Sequence, residues 1–344
     1  MHLARLHLQN LRCFANQTVE FPTNITLIEG SNGSGKTTIV EALYYLCYLR
    51  SFRTPNTKDL IRFETENFFI RADLQEGLAC EQLQVGFSAS KRLVKFNDQP
   101  VASFKELIQN YRVVVLTEND LDLIKGGPEE RRNFIDQYIY LQDPSWHQIM
   151  RHLRQIVQQR NAVLKNNFQI ELFELWTEQL NQKSALVRAR RQLALAEVQA
   201  ELTQILQENF NLDFSVNFDY QVKSWQPQLQ LREQAMGHSL WGAQLDDYQI
   251  QLNSHSTRKF ASRGQQKLVS VLMKVVQVLV LKRSFPGAIL FLLDDFLTDF
   301  DDQRADLLLE LLAKLPAQLV FTAPNMSKHH RERLLSLGAS QIQL

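Results

Sequence analysis

Eight consecutive residues, Gly30-Ser31-Asn32-Gly33-Ser34-Gly35-Lys36-Thr37, fit the spacing G-x-x-x-x-G-K-[ST]. Such a run is suited to phosphate: glycines let backbone N–H groups close around the oxygens, the lysine neutralises their charge, and the last hydroxyl is placed for Mg²⁺. Thr38 continues the run into the next element. The second candidate lies far along the chain, where six apolar residues from Ala288 to Leu293 are followed by Asp294 and Asp295. Two carboxylates at the carboxyl end of a buried strand sit where parallel sheets bind ligands. One can hold a magnesium shell and the other can polarise a water. The third is Ser262-Arg263-Gly264-Gln265-Gln266, ahead of an amphipathic run from Leu268 to Leu281. A capping serine, a glycine that allows close backbone approach and a helix amino terminus together make a second anion site. On one rigid head this site and Lys36 cannot easily serve the same nucleotide. The expectation is therefore service in trans, with ATP clamped between two copies of the chain.

The elements that must position these residues are legible as an α/β pattern. Leu3 to Leu8 and Asn24 to Glu29 read as strands, the second leading straight into the phosphate loop. Val40, Leu43, Tyr44, Leu46, Cys47 and Leu49 give Ile39 to Arg50 the spacing of a helix packed on a sheet. Further strands are expected at Phe68 to Asp73, Gln82 to Ser88 and Arg112 to Leu116, with Gly126 to Pro128 as a break. From Pro144 to about Phe210 the sequence is Gln-rich, lacks glycine and has helical periodicity, as at Ile149, Leu153, Ile156, Val157 and Leu164. A polar, unassigned stretch follows from Asp213 to Gln251. The α/β texture then resumes with a helix from about Gly264 to Lys282, the strand Ala288 to Leu293, a helix from about Asp302 to Leu315 and a strand Gln318 to Thr322.

Composition sets the class. A chain of 344 residues, 44% apolar and 22% charged, with 12 Gly and 9 Pro, is globular rather than disordered or fibrous. Lys plus Arg number 38 against 37 acids, so any nucleic acid must be held by a local patch rather than by bulk charge. The three cysteines, Cys13, Cys47 and Cys80, suit a reducing cytoplasm better than a disulfide framework. The amino end alternates apolar with polar residues and lacks a signal peptide's apolar core, and the longest apolar run, Val269 to Leu281, is interrupted by Lys274 and Gln277. A cytoplasmic protein that does not span a membrane is expected.

The trio of phosphate loop, S-R-G-Q-Q segment and strand-Asp-Asp resembles the ABC-type ATPase heads of the SMC and Rad50 class. Further segments are similar to the RecF family of bacterial DNA replication and repair proteins: LHLQNLRCFAN near the start, Arg50-Ser51-Phe52-Arg53 after the first helix, KGGPEERRNFID at Lys125 to Asp136, QRNAVLK at Gln159 to Lys165 and LLDDFLTDFD at Leu292 to Asp301. The resemblance implies an ABC-type head built from both ends of the chain, residues 1–123 and 238–344, with an inserted mainly helical arm at 124–237. It implies ATP and Mg²⁺ as cofactors. Gly30, Ser31, Asn32, Gly33, Ser34, Gly35, Lys36, Thr37 and Thr38 would bind the nucleotide, with Ser262, Gly264, Gln265 and Asp301 facing a partner copy's nucleotide. Thr37 and Asp294 would hold the metal. Asp295 stands where most ABC enzymes place a catalytic glutamate, and Thr322 where transporters carry a switch histidine. A shorter carboxylate and no histidine imply slow hydrolysis and a timed clamp. The implied partners are duplex and gapped DNA, RecR and RecO, and through them RecA, in support of recombination, replication restart and the SOS response.

The chain departs from the family's usual pattern in two places, one of them Phe300, which replaces a smaller aliphatic residue in the loop before Asp301. At the other, members usually carry G-P-H-R-D-D, whereas this chain reads Gly242-Ala243-Gln244-Leu245-Asp246-Asp247. Between Ser145 and Leu195 stand Arg151, Arg154, Arg160, Lys165, Lys183, Arg188, Arg190 and Arg191 against Glu171, Glu174 and Glu178. That surplus predicts a sequence-independent phosphate footprint. Arg131 and Arg132 are candidates for contacts within the head instead, and Arg12 and Arg53 are weaker candidates for base or phosphate contact. Two other classes stay open. The phosphate loop alone allows a small-molecule kinase, although no acceptor site or lid is evident. The head motifs allow a transporter's ATPase subunit, which the helical insert disfavours.

Overall fold

The computed structural model describes residues 2–89, 91–101, 111–166, 168–209, 215–324 and 326–344. Phe210, where the helical run was expected to end, and Asp213, where the polar stretch begins, lie outside them. The chain divides into two compact units, Met1–Glu118 with Gln277–Leu344, and Asn119–Val276.

The first unit carries two sheets. A parallel one has the order Ser340–Gln343, Ile25–Glu29, Gln318–Ala323, Ala288–Asp294, Tyr111–Leu116. Its three inner strands are almost wholly buried, as their unbroken apolar runs require when both faces are covered. An antiparallel sheet has the order Phe14–Glu20, His2–Leu11, Asn67–Glu76, Ala79–Ser88, Lys91–Phe96, Gln99–Pro100. In its strand His2–Leu11 the register shifts between Leu3 and Arg5. The bulge moves the buried face from Leu3 to Leu6 and Leu8, explaining why the leucine spacing is not strictly two. Gln318 ties the two sheets together: its Oε1 accepts from the Leu3 N–H at 2.7 Å, and its Nε2 donates to the Leu3 carbonyl at 2.9 Å. The helix Lys36–Tyr48 buries nearly its whole length, and the Tyr48 hydroxyl donates to the Val113 carbonyl at 2.6 Å. The strands and helices expected from periodicity in this unit are all present.

The second unit is mainly helical, with Pro128–Gln142, Trp146–Lys165 and the 40-residue helix Ile170–Asn209. It also holds a three-stranded antiparallel sheet, His255–Ser256, Asp247–Leu252 and Val216–Gln221, in and just beyond the stretch that periodicity left unassigned. Those strands are short and rich in Asn, Asp and Gln, so alternation alone gives little signal. The Ser262 segment falls in this unit, not with residues 1–118. The helix Arg263–Ser284 crosses the division; it is long and apolar enough to span a bilayer, but 83% of its most apolar stretch is buried, as in a core helix.

The basic footprint expected on the helical insert needs correction. Arg160 is fully buried and pairs with both Glu233 oxygens at 3.0 and 2.7 Å, with Ser239 Oγ at 2.8 Å and Thr177 Oγ1 at 3.0 Å. Arg191 is also buried, paired with both oxygens of Asp136 at 2.9 and 2.8 Å. Arg188 donates to Asp246 at 2.8 Å and Arg190 to Gln142 at 3.1 Å. Arg160, Arg188 and Arg191 hold the fold, because a carboxylate taken from water persists only with such partners, and Arg190 is engaged by a side-chain amide. Arg151, Arg154 and Lys165 remain exposed, and Lys183 is half-buried.

The Asp246-Asp247 pair has the same structural use. Asp246, wholly buried, accepts from Arg188, from the Lys223 N–H at 2.7 Å and from the Tyr220 hydroxyl at 3.1 Å. Burial and the Asp246 charge push the Tyr220 phenol up to about 12, partly offset by Arg191. Asp247 pairs with Arg131 at 2.8 and 3.0 Å, and the Asp246 carbonyl accepts from Arg132 at 2.8 Å. Gln244 turns inward and donates to the Trp241 carbonyl at 2.7 Å.

Candidate nucleotide site

The site is assembled within the first unit where three parallel strands end side by side, Ile25–Glu29 and Ala288–Asp294 flanking Gln318–Ala323. Ile25–Glu29 delivers the glycine loop, whose last turn runs into the helix beginning at Lys36. Gly35 makes that entry with φ of +103°, a backbone that only glycine takes cheaply, and a Cβ there would stand 2.3 Å from the Phe14 ring and 2.9 Å from Cys13 Sγ. A Cβ on Gly30 would meet Ser34 Oγ at 2.6 Å. The loop is thus closed tightly at both ends while Gly33, at φ of +85°, has no neighbour within 4 Å of that position. Ser34 Oγ is buried and has no hydrogen-bond partner among the described residues. A cradle of this shape, with an unsatisfied hydroxyl inside it, fits a polyphosphate.

Lys36 is buried, and its Nζ donates to the carbonyls of Gly30 and Ser31, each at 2.7 Å. The next residue, Thr37, donates its hydroxyl to Asp294 Oδ1 at 3.2 Å. Thr322, on the neighbouring strand and in register with Asp294, donates to the same oxygen at 2.5 Å. Asp295 follows in the left-handed region, φ +49°, with its N–H donating to the Thr322 carbonyl at 3.1 Å. A hydroxyl and a carboxylate oxygen so close together form the hard oxygen set that Mg²⁺ favours, the remaining positions falling to phosphate and water. No cluster of three or more metal-binding side chains occurs among the described residues. The residues present therefore suit a metal shared with a phosphorylated ligand rather than one held by protein alone.

These groups face a cleft of about 430 Å³ lined by Asn32, Gly33, Gly35, Lys36, Thr37, Thr38, Asp294, Asp295 and Thr322, with Arg12, Cys13 and Arg53 on its rim. Gly30 and Ser31 line an adjoining cleft of about 380 Å³ with Glu29 and Arg331. There Glu29 is nearly inaccessible and takes Arg331 on both oxygens at 2.8 and 2.9 Å, which raises the Arg331 pKa. Asp301 does not line either cleft; its carboxylate caps the helix Asp302–Ala313 by accepting from the Arg304 N–H at 2.9 Å. Ser262, Gly264 and Gln265 begin the helix Arg263–Ser284 in the second unit. There Ser262 Oγ and Gln265 Oε1 accept from each other's backbone N–H at 3.3 and 2.8 Å. This reciprocal pair is a capping box. Gln266 reaches back from the same turn to the carbonyls of Thr257 and Ala261 at 3.1 and 3.2 Å.

Sequence reasoning overlooked Glu41. It lies one turn beyond Thr37 and is the one acid of its helix, set among apolar neighbours, which is the signal that could have drawn attention to it. It is wholly buried and takes Arg12 on both oxygens at 3.1 and 2.9 Å.

Known proteins resemble this chain along most of its length. The AAA domain family profile matches residues 5–257. The DNA replication and repair protein RecF of Colwellia psychrerythraea (strain 34H / ATCC BAA-681) is 30% identical over 337 residues, covering 94% of this chain and 88% of that protein. The protein of the same name from Leptospira interrogans serogroup Icterohaemorrhagiae serovar copenhageni is 28% identical over 342 residues, covering 95% and 92%. A solved structure described as the recombination mediator protein RecF-ATP in the RecFOR pathway superposes with a TM-score of 0.81 at 22% identity, over 95% of this chain and 93% of that one. An Smc head domain from Pyrococcus furiosus superposes at 0.56 and 14% identity, over 98% and 91%. With an ATPase head formed from both ends of the sequence and relatives matched along nearly their whole length, the chain belongs to the RecF family of DNA replication and repair proteins.

Proposed function

We propose that the chain is an ATP-gated DNA-binding protein of recombinational repair, in which two copies pair around ATP and grip duplex DNA beside single-strand gaps. The observation that carries this reading is the convergence of Lys36, Thr37, Asp294 and Asp295 on one cleft. The loop N–H groups and Lys36 hold the β and γ phosphates. Thr37 and Asp294 hold Mg²⁺, which when bound supplies Lewis-acid polarisation of the phosphate oxygens. Asp295 orients and polarises the attacking water. Thr322 aligns Asp294 but, having no basic nitrogen, cannot take the part of a histidine, so hydrolysis is slow and the paired state is long-lived. Ser262, Gly264, Gln265 and Asp301 of a second copy complete the pocket. RecR and RecO are the partners expected from the family, acting with this protein in the cytoplasm to help load RecA, and so supporting replication restart and the SOS response.

The test is light scattering behind size exclusion with ATP and Mg²⁺, with and without gapped duplex. A shift from monomer to dimer with ATP, and DNA binding that needs ATP and weakens steeply with salt, is the expected result. A monomer under conditions where ATP is bound would overturn the clamp.

A further inference from the structure

We propose that Glu41 is a positioning residue of the nucleotide site, holding the guanidiniums of Arg12 and Arg53 at the rim of the phosphate cleft. The inference rests on the nucleotide reading above and adds to it the group that orients its outer cations. Arg12 and Arg53 come from different loops, and both line the cleft that contains Lys36 and Thr37. Both also reach the same carboxylate: Arg12 binds it through Nε and a terminal nitrogen at 3.1 and 2.9 Å, and Arg53 approaches it at 3.5 Å. The Ser51 hydroxyl donates to the same Glu41, and Ser51 Oγ in turn accepts from the Arg53 N–H at 2.9 Å and the Thr54 N–H at 3.2 Å. Glu41 therefore fixes the backbone that carries Arg53 as well as its side chain.

The local electrostatics make this more than packing. The Glu41 side chain is 0% exposed, while those of Arg12 and Arg53 are 24% and 44% exposed. A buried carboxylate must be paired, and here its partners keep an open edge toward the cleft. Two guanidiniums and the Lys36 ammonium around one cavity would repel each other, and one interposed negative charge offsets that repulsion. Arg12 is further constrained by its backbone, held at φ +52° with its N–H donating to the Leu60 carbonyl at 2.8 Å. Strain of this kind persists where the surroundings over-determine a position. Guanidiniums already oriented meet phosphate oxygens without the ordering cost that free side chains incur.

The experiment is a double-mutant cycle read by titration of a fluorescent ATP analogue with Mg²⁺. Glu41→Gln keeps the volume and removes the charge; affinity is expected to fall about tenfold, the scale of a lost charge-assisted hydrogen bond. Arg12→Gln is expected to weaken binding similarly, and the double variant to be no weaker than the worse single one, because Glu41 acts through Arg12. Unaltered affinity of Glu41→Gln at a wild-type circular dichroism spectrum, or full additivity in the cycle, would overturn the proposal. If Glu41→Gln does not fold, Arg12→Gln and Arg53→Gln decide: a loss in either supports it, and wild-type affinity in both sinks it. Failure of the unaltered chain to bind the analogue would instead defeat the nucleotide reading, and this inference with it.

Discussion

Thr37 and Thr322, from opposite ends of the chain, donate their hydroxyls to the same Oδ1 of Asp294. The carboxylate is thereby locked from two sides, by the phosphate-loop helix and by the neighbouring strand. Asp294→Asn keeps the shape but loses the charge needed by a divalent cation. The expected outcome is an ATP affinity about tenfold or more lower in Mg²⁺ and unchanged in EDTA. Thr322→Val frees the carboxylate without removing it, and should cost about tenfold in Mg²⁺-dependent affinity, the lower end for an outer-shell partner. Titration of a fluorescent ATP analogue in the two buffers checks both.

Gly35→Ala tests the closure of the loop. The added methyl meets the Phe14 ring at 2.3 Å in a backbone of φ +103°, so it acts on the geometry of the loop and leaves Lys36 in place. ATP binding should be lost, with a stability cost of about 1–3 kcal/mol for the strained residue. Phe14→Ala in the same chain removes the clash but not the strain, and should restore stability only partly. Thermal melts with binding titrations separate the two.

The phosphate loop, the acid-bearing strand and the helix between them are legible because each depends on neighbours in sequence: spacing, apolar runs and a glycine at a positive φ. The bond from Thr322 to Asp294 is not, since it depends on parallel register between strands whose pairing is tertiary. The same holds for the arginines of the second unit. Counted along the sequence, Arg160, Arg188, Arg190 and Arg191 look like a phosphate footprint; in space each finds a carboxylate or amide on another element. Gln244 and Leu245 stand where the family usually carries His-Arg, and sequence alone does not say what the segment does instead. In the fold Gln244 holds the Trp241 carbonyl, and the neighbouring acids serve arginines.

Thiol chemistry gives an independent check on the first unit. Cys47 is buried against the parallel sheet, its Sγ donating to the Tyr111 carbonyl at 3.4 Å, and burial pushes its pKa up from 9.0 to about 12. Cys13 and Cys80 are exposed, and Cys13 lies on the rim of the nucleotide cleft. A chromogenic disulfide should therefore titrate two thiols at pH 8 and three in denaturant, and ATP with Mg²⁺ should slow one of the two. Because folding raises the Cys47 pKa, its contribution to stability is complete below about pH 9 and is lost as pH rises toward 12. Cys47→Ala should flatten the decline of the melting temperature between those values.

The division of the arginines predicts two separable phenotypes in the second unit. Arg160 stands within 4.6 Å of the Phe173 ring centre, beside Trp241, and both its forks are bonded to buried Glu233. Arg160→Ala strands that carboxylate, and should cost about 3–5 kcal/mol of stability. Any loss of DNA affinity in that variant would follow unfolding. Arg151, Arg154 and Lys165 are exposed, so replacing all three by Gln should leave the melting temperature within about 2 °C, as surface changes do. If these cations meet DNA phosphates, the slope of log affinity against log salt should become shallower by about 0.9 for each contact removed. An unchanged slope in the triple variant, with DNA still bound, would move the DNA path off this helical surface altogether.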